Sequence, residues 1–220
     1  MQRYNRFPIA ATGRHLFRAA FFVAFVLVTG AAHAVCPGLD VLLEDDFEVL
    51  RPVWGEEGPE IRIEDGALLV GPASGTDFWR VNTSGVYDDL DMCVTLTTVA
   101  GVEPTESKAG AIFWYEDVNN FYVFQYAPNG RASVWRRQRG LWLEQVAWKD
   151  ADGANPGDGG VNELRVTATG TTAEFFVNGS LFGEIEGEPP DIGQQIGVFA
   201  SSPTSGRAIF SFDELRVTSP

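Results

Sequence analysis

Polar and apolar positions alternate along most of this chain in short runs, and the runs are rich in β-branched and aromatic residues. Alternation with a period of two places successive side chains on opposite faces of an extended strand. Strands are therefore expected at Val41–Phe47, Glu60–Glu64, Ala67–Val70, Asp77–Asn82 and Leu90–Val99. A central block, Ser107–Trp148, holds four more, at Gly110–Tyr115, Phe121–Tyr126, Ala132–Arg137 and Leu141–Trp148. Asn162–Thr169, Thr171–Val177, Leu181–Glu186, Gln195–Ala200 and Ala208–Val217 complete the series. Asp65-Gly66 and Asn178-Gly179 read as hairpin turns, Pro128-Asn129-Gly130 interrupts the central block, and Lys149–Gly160 is a Gly/Asp/Pro loop.

Beyond the first 34 residues, no window repeats apolar residues at helical spacing over a useful length. About a dozen short strands separated by turn signals describe an all-β jelly-roll β-sandwich of two antiparallel sheets. The runs share a style but no fixed period, which disfavours a propeller or solenoid.

A twisted sheet that curves offers one concave outer face, and a groove there is the natural place to look for a ligand. Strict alternation through the central block assigns Phe113, Phe124 and Val134 to the core and Trp114, Gln125, Trp135 and Arg137 to a groove, with Trp79 beside them. Exposed tryptophan next to Gln and Arg suits a sugar, because the ring packs on C–H groups while polar side chains take hydroxyls. Burial in a β-sandwich is the more ordinary account of any single tryptophan. The binding surface is expected to include at least one of Trp54, Trp79, Trp114, Trp135 and Trp142.

The N-terminus changes the picture of location. Residues 1–34 carry Arg3, Arg6, Arg14 and Arg18 with no acid, then an apolar run, Ala19–Val28, too short to span a bilayer comfortably. Ala32-His33-Ala34 completes the pattern of a cleaved signal peptide, so residues 35–220 are expected to form one exported domain, secreted or periplasmic in a bacterium, with no membrane span after cleavage. Losing those four arginines takes the net charge from −14 to −18. A surface this acidic repels phosphate backbones, which sets nucleic-acid binding aside. Both histidines, His15 and His33, leave with the signal peptide, and with them any Ser-His-Asp or Cys-His mechanism. Cys36 and Cys93, an even count in an oxidising compartment, are expected to form a disulfide.

Several segments together resemble a known family. Asp45-Asp46-Phe47 with Trp54, Asp65-Gly66-Ala67-Leu68, Ala109–Tyr115 with Asp117–Phe124, and Asn162–Val166 come in its order. Phe176–Gly179, Ile196-Gly197-Val198 and Phe212–Val217 continue it. The succession is similar to concanavalin A-like lectin/glucanase domains, in particular laminin-G-like and 3-keto-disaccharide-hydrolase-like jelly rolls of secreted bacterial proteins. These positions are turns and core, so the resemblance specifies fold more than activity.

The resemblance also directs attention to carboxylates. Glu44-Asp45-Asp46-Phe47-Glu48 has the E-x-D-x-E spacing of laminarinase-like relatives, which makes Glu44 and Asp46 weak catalytic candidates. Glu184-Ile185-Glu186-Gly187-Glu188 adds Glu184 and Glu186, although Glu stands where the central Asp is usual. Calcium, a hard cation that takes oxygen ligands, suits an acidic chain without histidine. The family's convex-side ion implies Asp45 or Asp46 with Asp213 as ligands, and the loop acids Asp150, Asp152 and Asp158 offer a second set. The expected function is non-catalytic carbohydrate binding. A glycoside hydrolase or 3-keto-glycoside-cleaving enzyme, or a structural or adhesive envelope protein, is the alternative.

Overall fold

The computed structural model describes Met1 and residues 36–38, 40–101 and 103–220; apart from Met1, the expected signal peptide lies outside the described residues. Strand residues dominate, and the described residues contain no α-helix. The strands are β1 (Val41–Asp45), β2 (Ile61–Glu64), β3 (Ala67–Val70), β4 (Asp77–Tyr87), β5 (Leu90–Ala100), β6 (Lys108–Asp117) and β7 (Asn120–Ala127). They continue as β8 (Arg131–Gln138), β9 (Leu141–Asp150), β10 (Val161–Thr169), β11 (Thr172–Val177), β12 (Ser180–Glu186), β13 (Gln194–Ser201) and β14 (Ile209–Thr218).

Turn chemistry sets several of these boundaries. Asp65 and Gly66 both have positive φ (54° and 74°), as do Asn178 and Gly179 (48° and 78°) and Arg139 and Gly140 (52° and 79°). A two-residue hairpin whose twist matches its strands needs positive φ at both central positions, which explains a glycine in each pair. Glu64 therefore pairs with Ala67, Val177 with Ser180, and Gln138 with Leu141.

The strands form two antiparallel sheets, the expected jelly-roll sandwich. One runs β12-β11-β10-β5-β14-β3-β2 with β1 added against β14, and the other runs β4-β13-β6-β7-β8-β9. Their facing sides close over one apolar core. The eight-stranded sheet contributes Leu68, Val94, Leu96, Phe175 and Phe212, and the six-stranded sheet Phe113, Tyr122, Phe124 and Val198. Phe113, Phe124 and Val134 are all fully buried, as alternation predicts. Each fully buried large side chain contributes about 1.5–3 kcal/mol relative to exposure, so the sandwich rests mainly on this layer.

Cys36 and Cys93 are joined, with Cα atoms 5.6 Å apart. Cys93 lies on the outer face of the eight-stranded sheet, in register with Arg165 and Arg216, so the bridge fastens the N-terminal segment across β5. Beside it the Arg165 guanidinium donates twice to the buried Asp91 carboxylate, at 2.7 and 2.9 Å.

Candidate functional site

The outer face of the six-stranded sheet carries a second apolar cluster, separate from the core. Ile112, Phe121, Val123 and Phe199 are buried there beneath Trp79, Tyr115, Trp135 and Trp142. These rings meet across the sheet. Trp79 on the edge strand β4 reaches Phe121 on β7 with centroids 5.4 Å apart, and Trp142 on the opposite edge strand β9 reaches the same ring at 5.5 Å. Trp142 also meets Phe199 of β13 edge-on at 5.9 Å. Four strand spacings separate β9 from β13, about 19 Å in a flat sheet. The sheet therefore curls into a trough whose two walls touch.

At one end of this trough is a cavity of about 130 Å³. Each strand of the sheet supplies one lining residue: Asp77, Lys108, Gln125, Trp135, Trp142 and Phe199. Register produces this convergence, because Phe199 pairs with Gly110 and Gly110 with Gln125. A side chain on Gly110 would place its Cβ 2.0 Å from the Phe124 carbonyl oxygen, so only glycine allows this close strand approach, and it leaves the floor low.

Polar groups in the lining are held by neighbours or left free. The Trp135 indole N–H donates to the Ser133 hydroxyl at 3.0 Å, which sets the ring's orientation. Lys108 places its ammonium over the Trp148 ring, 5.8 Å from the centroid, with no carboxylate within 4.0 Å among the described residues. Gln125 is only 5% exposed, yet its side chain makes no hydrogen bond to any described residue. Its amide opens onto the cavity, where water or a ligand can supply the partner.

The other end of the trough is filled. Arg137 lies over Trp79 at 5.5 Å and over Trp142 at 5.3 Å, while its Nε donates to the Val118 carbonyl at 3.1 Å. Tyr115 packs on Phe121 at 5.6 Å below it. Burial raises the Tyr115 hydroxyl pKa above its ordinary value, helped by the nearby Asp117 charge, so it stays protonated at neutral pH.

Sequence-expected residues thus divide. Gln125 and Trp135 line the cavity, while Trp79 and Arg137 stand on the same face at the filled end. Trp114 is a correction: it is 1% exposed and belongs to the core. Tyr115 pairs with Gln195 and Ile112 with Gly197, so Phe113 and Trp114 together oppose the single residue Ile196. This β-bulge turns both aromatics inward and returns Tyr115 to the outer face, overriding strict alternation. Trp54 is buried as well, its indole N–H bonded to Asp45 at 2.8 Å. Sequence reasoning named Trp142 as one of five candidate tryptophans without assigning it a face, and did not single out Asp77, Lys108 and Phe199. The Arg139-Gly140 turn was the available signal for one of them, since it pairs Arg137 with Trp142.

The carboxylate candidates do not reach the trough. Glu44 is an exposed residue of β1, on the other sheet, 3.9 Å from Arg216. β1 ends at Asp45, and Asp46 instead accepts the Glu48 N–H at 3.2 Å, so the expected shared face of Glu44, Asp46 and Glu48 does not form. Glu184 and Glu186 lie on β12, the far edge of that sheet. Hydroxyls of Thr172 and Thr171 donate to Glu186 and hold its carboxyl below the ordinary value of 4.5.

Three of the carboxylates expected to hold calcium already accept hydrogen bonds from the chain itself. Asp45 is buried with Oδ1 accepting the Phe47 N–H at 3.1 Å and Oδ2 accepting the Trp54 indole, so positively polarised donors already face both oxygens. Asp213 accepts hydroxyls from Ser211 at 2.8 Å and Thr97 at 3.1 Å. In the loop, Asp158 accepts the Gly101 N–H at 2.8 Å. Among the described residues, three metal-ligating side chains converge at Cys36, Asp91 and Cys93, where two are consumed by the disulfide.

No family model matches the chain, and no curated protein matches it. Solved structures do resemble it. A GH43 protein of Bacillus licheniformis superposes with a TM-score of 0.63 at 18% identity over 80% of this chain, which spans 39% of that protein's length. The carbohydrate binding module CBM66 from Bacillus subtilis gives 0.55 at 15% identity, covering 69% of this chain and 86% of the module. A Bacillus licheniformis β-glucanase gives 0.57 at 8% identity, covering 81% and 98%. At these identities the likeness establishes the sandwich fold.

Proposed function

We propose that this chain is an exported carbohydrate-binding module that holds sugar in the trough of its six-stranded sheet without cleaving it. The observation that carries this reading is the cavity itself, where the Gln125 amide, making no hydrogen bond to any described residue, stands among the rings of Trp135, Trp142 and Phe199. Sugars need this combination: flat apolar walls for C–H faces and fixed polar groups for hydroxyls. Lys108 adds a donor and Asp77 an acceptor at the same cavity. Solved structures of the same fold whose names state carbohydrate binding or glycosidase activity support the assignment.

Non-catalytic binding is favoured because glycoside hydrolysis runs on two carboxyl groups about 5–10 Å apart across the bond, and Asp77 is the one carboxylate in the lining among the described residues. The disulfide and the signal-peptide pattern support export. A glycan array, followed by calorimetry on the best ligand, tests the reading. Binding should disappear in Gln125→Leu and Trp135→Ala while both variants stay folded, and no reducing sugar should be released. An array on which nothing binds the folded protein would refute it. Hydrolysis lost in Asp77→Asn would make the trough an active site instead.

A further inference from the structure

We infer that the trough takes the end of a glycan chain, one terminal sugar deep, and does not let a polysaccharide lie along it. The inference rests on the carbohydrate reading and concerns which part of the sugar polymer is bound. A groove that tracks a chain must be open at both ends, and this one is blocked. Trp142 and Phe199 meet across it at 5.9 Å, although they come from strands four spacings apart. Beyond that contact, Trp79, Tyr115 and Trp142 all pack on Phe121, with centroids 5.4–5.6 Å apart, and Arg137 lies over both indoles. Rings at these separations are in contact, leaving no slot for a pyranose between them.

What remains open is the end bounded by Asp77, Lys108 and Gln125. Its volume, about 130 Å³, falls well short of the roughly 300–1,000 Å³ typical of sites that enclose a drug-sized ligand. One sugar ring can place a face against Trp135 and direct hydroxyls at Gln125 and Lys108, while the next sugar already projects into solvent. The polar groups at the mouth therefore read the hydroxyl pattern of a terminal residue, which differs from that of an internal one by the free hydroxyl at the linkage position.

Titration calorimetry of the intact protein with gluco-, xylo- and manno-oligosaccharide ladders, from the disaccharide upward, separates the modes. End recognition predicts affinity flat within about threefold from the shortest bound member onward. It also predicts that the binding capacity of a polysaccharide rises as limited acid hydrolysis multiplies its chain ends. An affinity that climbs by about tenfold for each added sugar that gains ~1.4 kcal/mol, with capacity indifferent to chain ends, would overturn end recognition and leave carbohydrate binding intact. Failure of every ladder and polysaccharide to bind would overturn both.

Discussion

The backbone N–H of Trp114 donates to Oε1 of Gln194 at 2.8 Å, and Nε2 of Gln194 in turn donates to the Asp88 carbonyl at 3.2 Å. This buried side chain substitutes for the ladder partner that the bulge in β6 removes, and it lets Trp114 adopt a φ of 45°. Gln194→Leu would leave the Trp114 N–H buried without an acceptor, at an expected cost of about 1–3 kcal/mol in urea unfolding. An unchanged midpoint would show that packing alone holds the bulge.

Trp114 and Trp135 should behave oppositely when truncated. Trp114→Ala empties a core site against Phe113 and Tyr122 and should cost about 3–5 kcal/mol. Trp135→Ala removes a partly buried ring of the outer cluster and should abolish glycan binding with a smaller loss of stability than at Trp114. Paired denaturation and binding curves check both, and a destabilised Trp135 variant with intact binding would contradict the site.

The disulfide closes a separation of 57 residues, for which the chain-entropy estimate is about 4 kcal/mol. Replacing both cysteines by serine should lower the thermal midpoint by an amount consistent with that loss, and reductant should have no further effect on the double variant. A midpoint that stays put would show that the eight-stranded sheet holds residue 36 unaided.

Glu163 gives a pH signature with a definite sign. Burial raises its carboxyl above the ordinary 4.5; Arg165 opposes this, while Asp91 and Glu214 reinforce it. Because the folded-state pKa lies above the unfolded one, the stability associated with this group is present below 4.5 and lost as pH rises through the folded value. Glu163→Gln should therefore stabilise the protein at neutral pH, and the gain should vanish below the ordinary carboxylate range. Denaturant midpoints across pH measure it, and a gain of equal size at low pH would point to a cause other than charge.

Asp45 tests the calcium expectation. Since its oxygens accept the Phe47 N–H and the Trp54 indole, Asp45→Ala should cost about 2–3 kcal/mol whether or not calcium is added. Chelator should leave the wild-type thermal midpoint unchanged. A midpoint that falls with EDTA and recovers with calcium would place an ion at this corner.

The sequence alone determined the strands, the principal turns, the disulfide partners and the sandwich. The strands and turns are local, since period-two alternation selects extended backbone and Asp-Gly or Asn-Gly pairs supply positive φ wherever they stand, while the disulfide was legible because the chain has two cysteines. Even residues facing the trough were legible where alternation ran unbroken, as at Gln125 and Trp135. Tertiary structure alone decided which aromatics line a site. A single inserted residue at Trp114 reverses the phase of β6, and the hydrogen bond that pays for it comes from Gln194, 80 positions away. The cavity likewise gathers one side chain from each of six strands, from Asp77 to Phe199, through register and curvature. Neither is a property of any one stretch, because long-range pairing sets both.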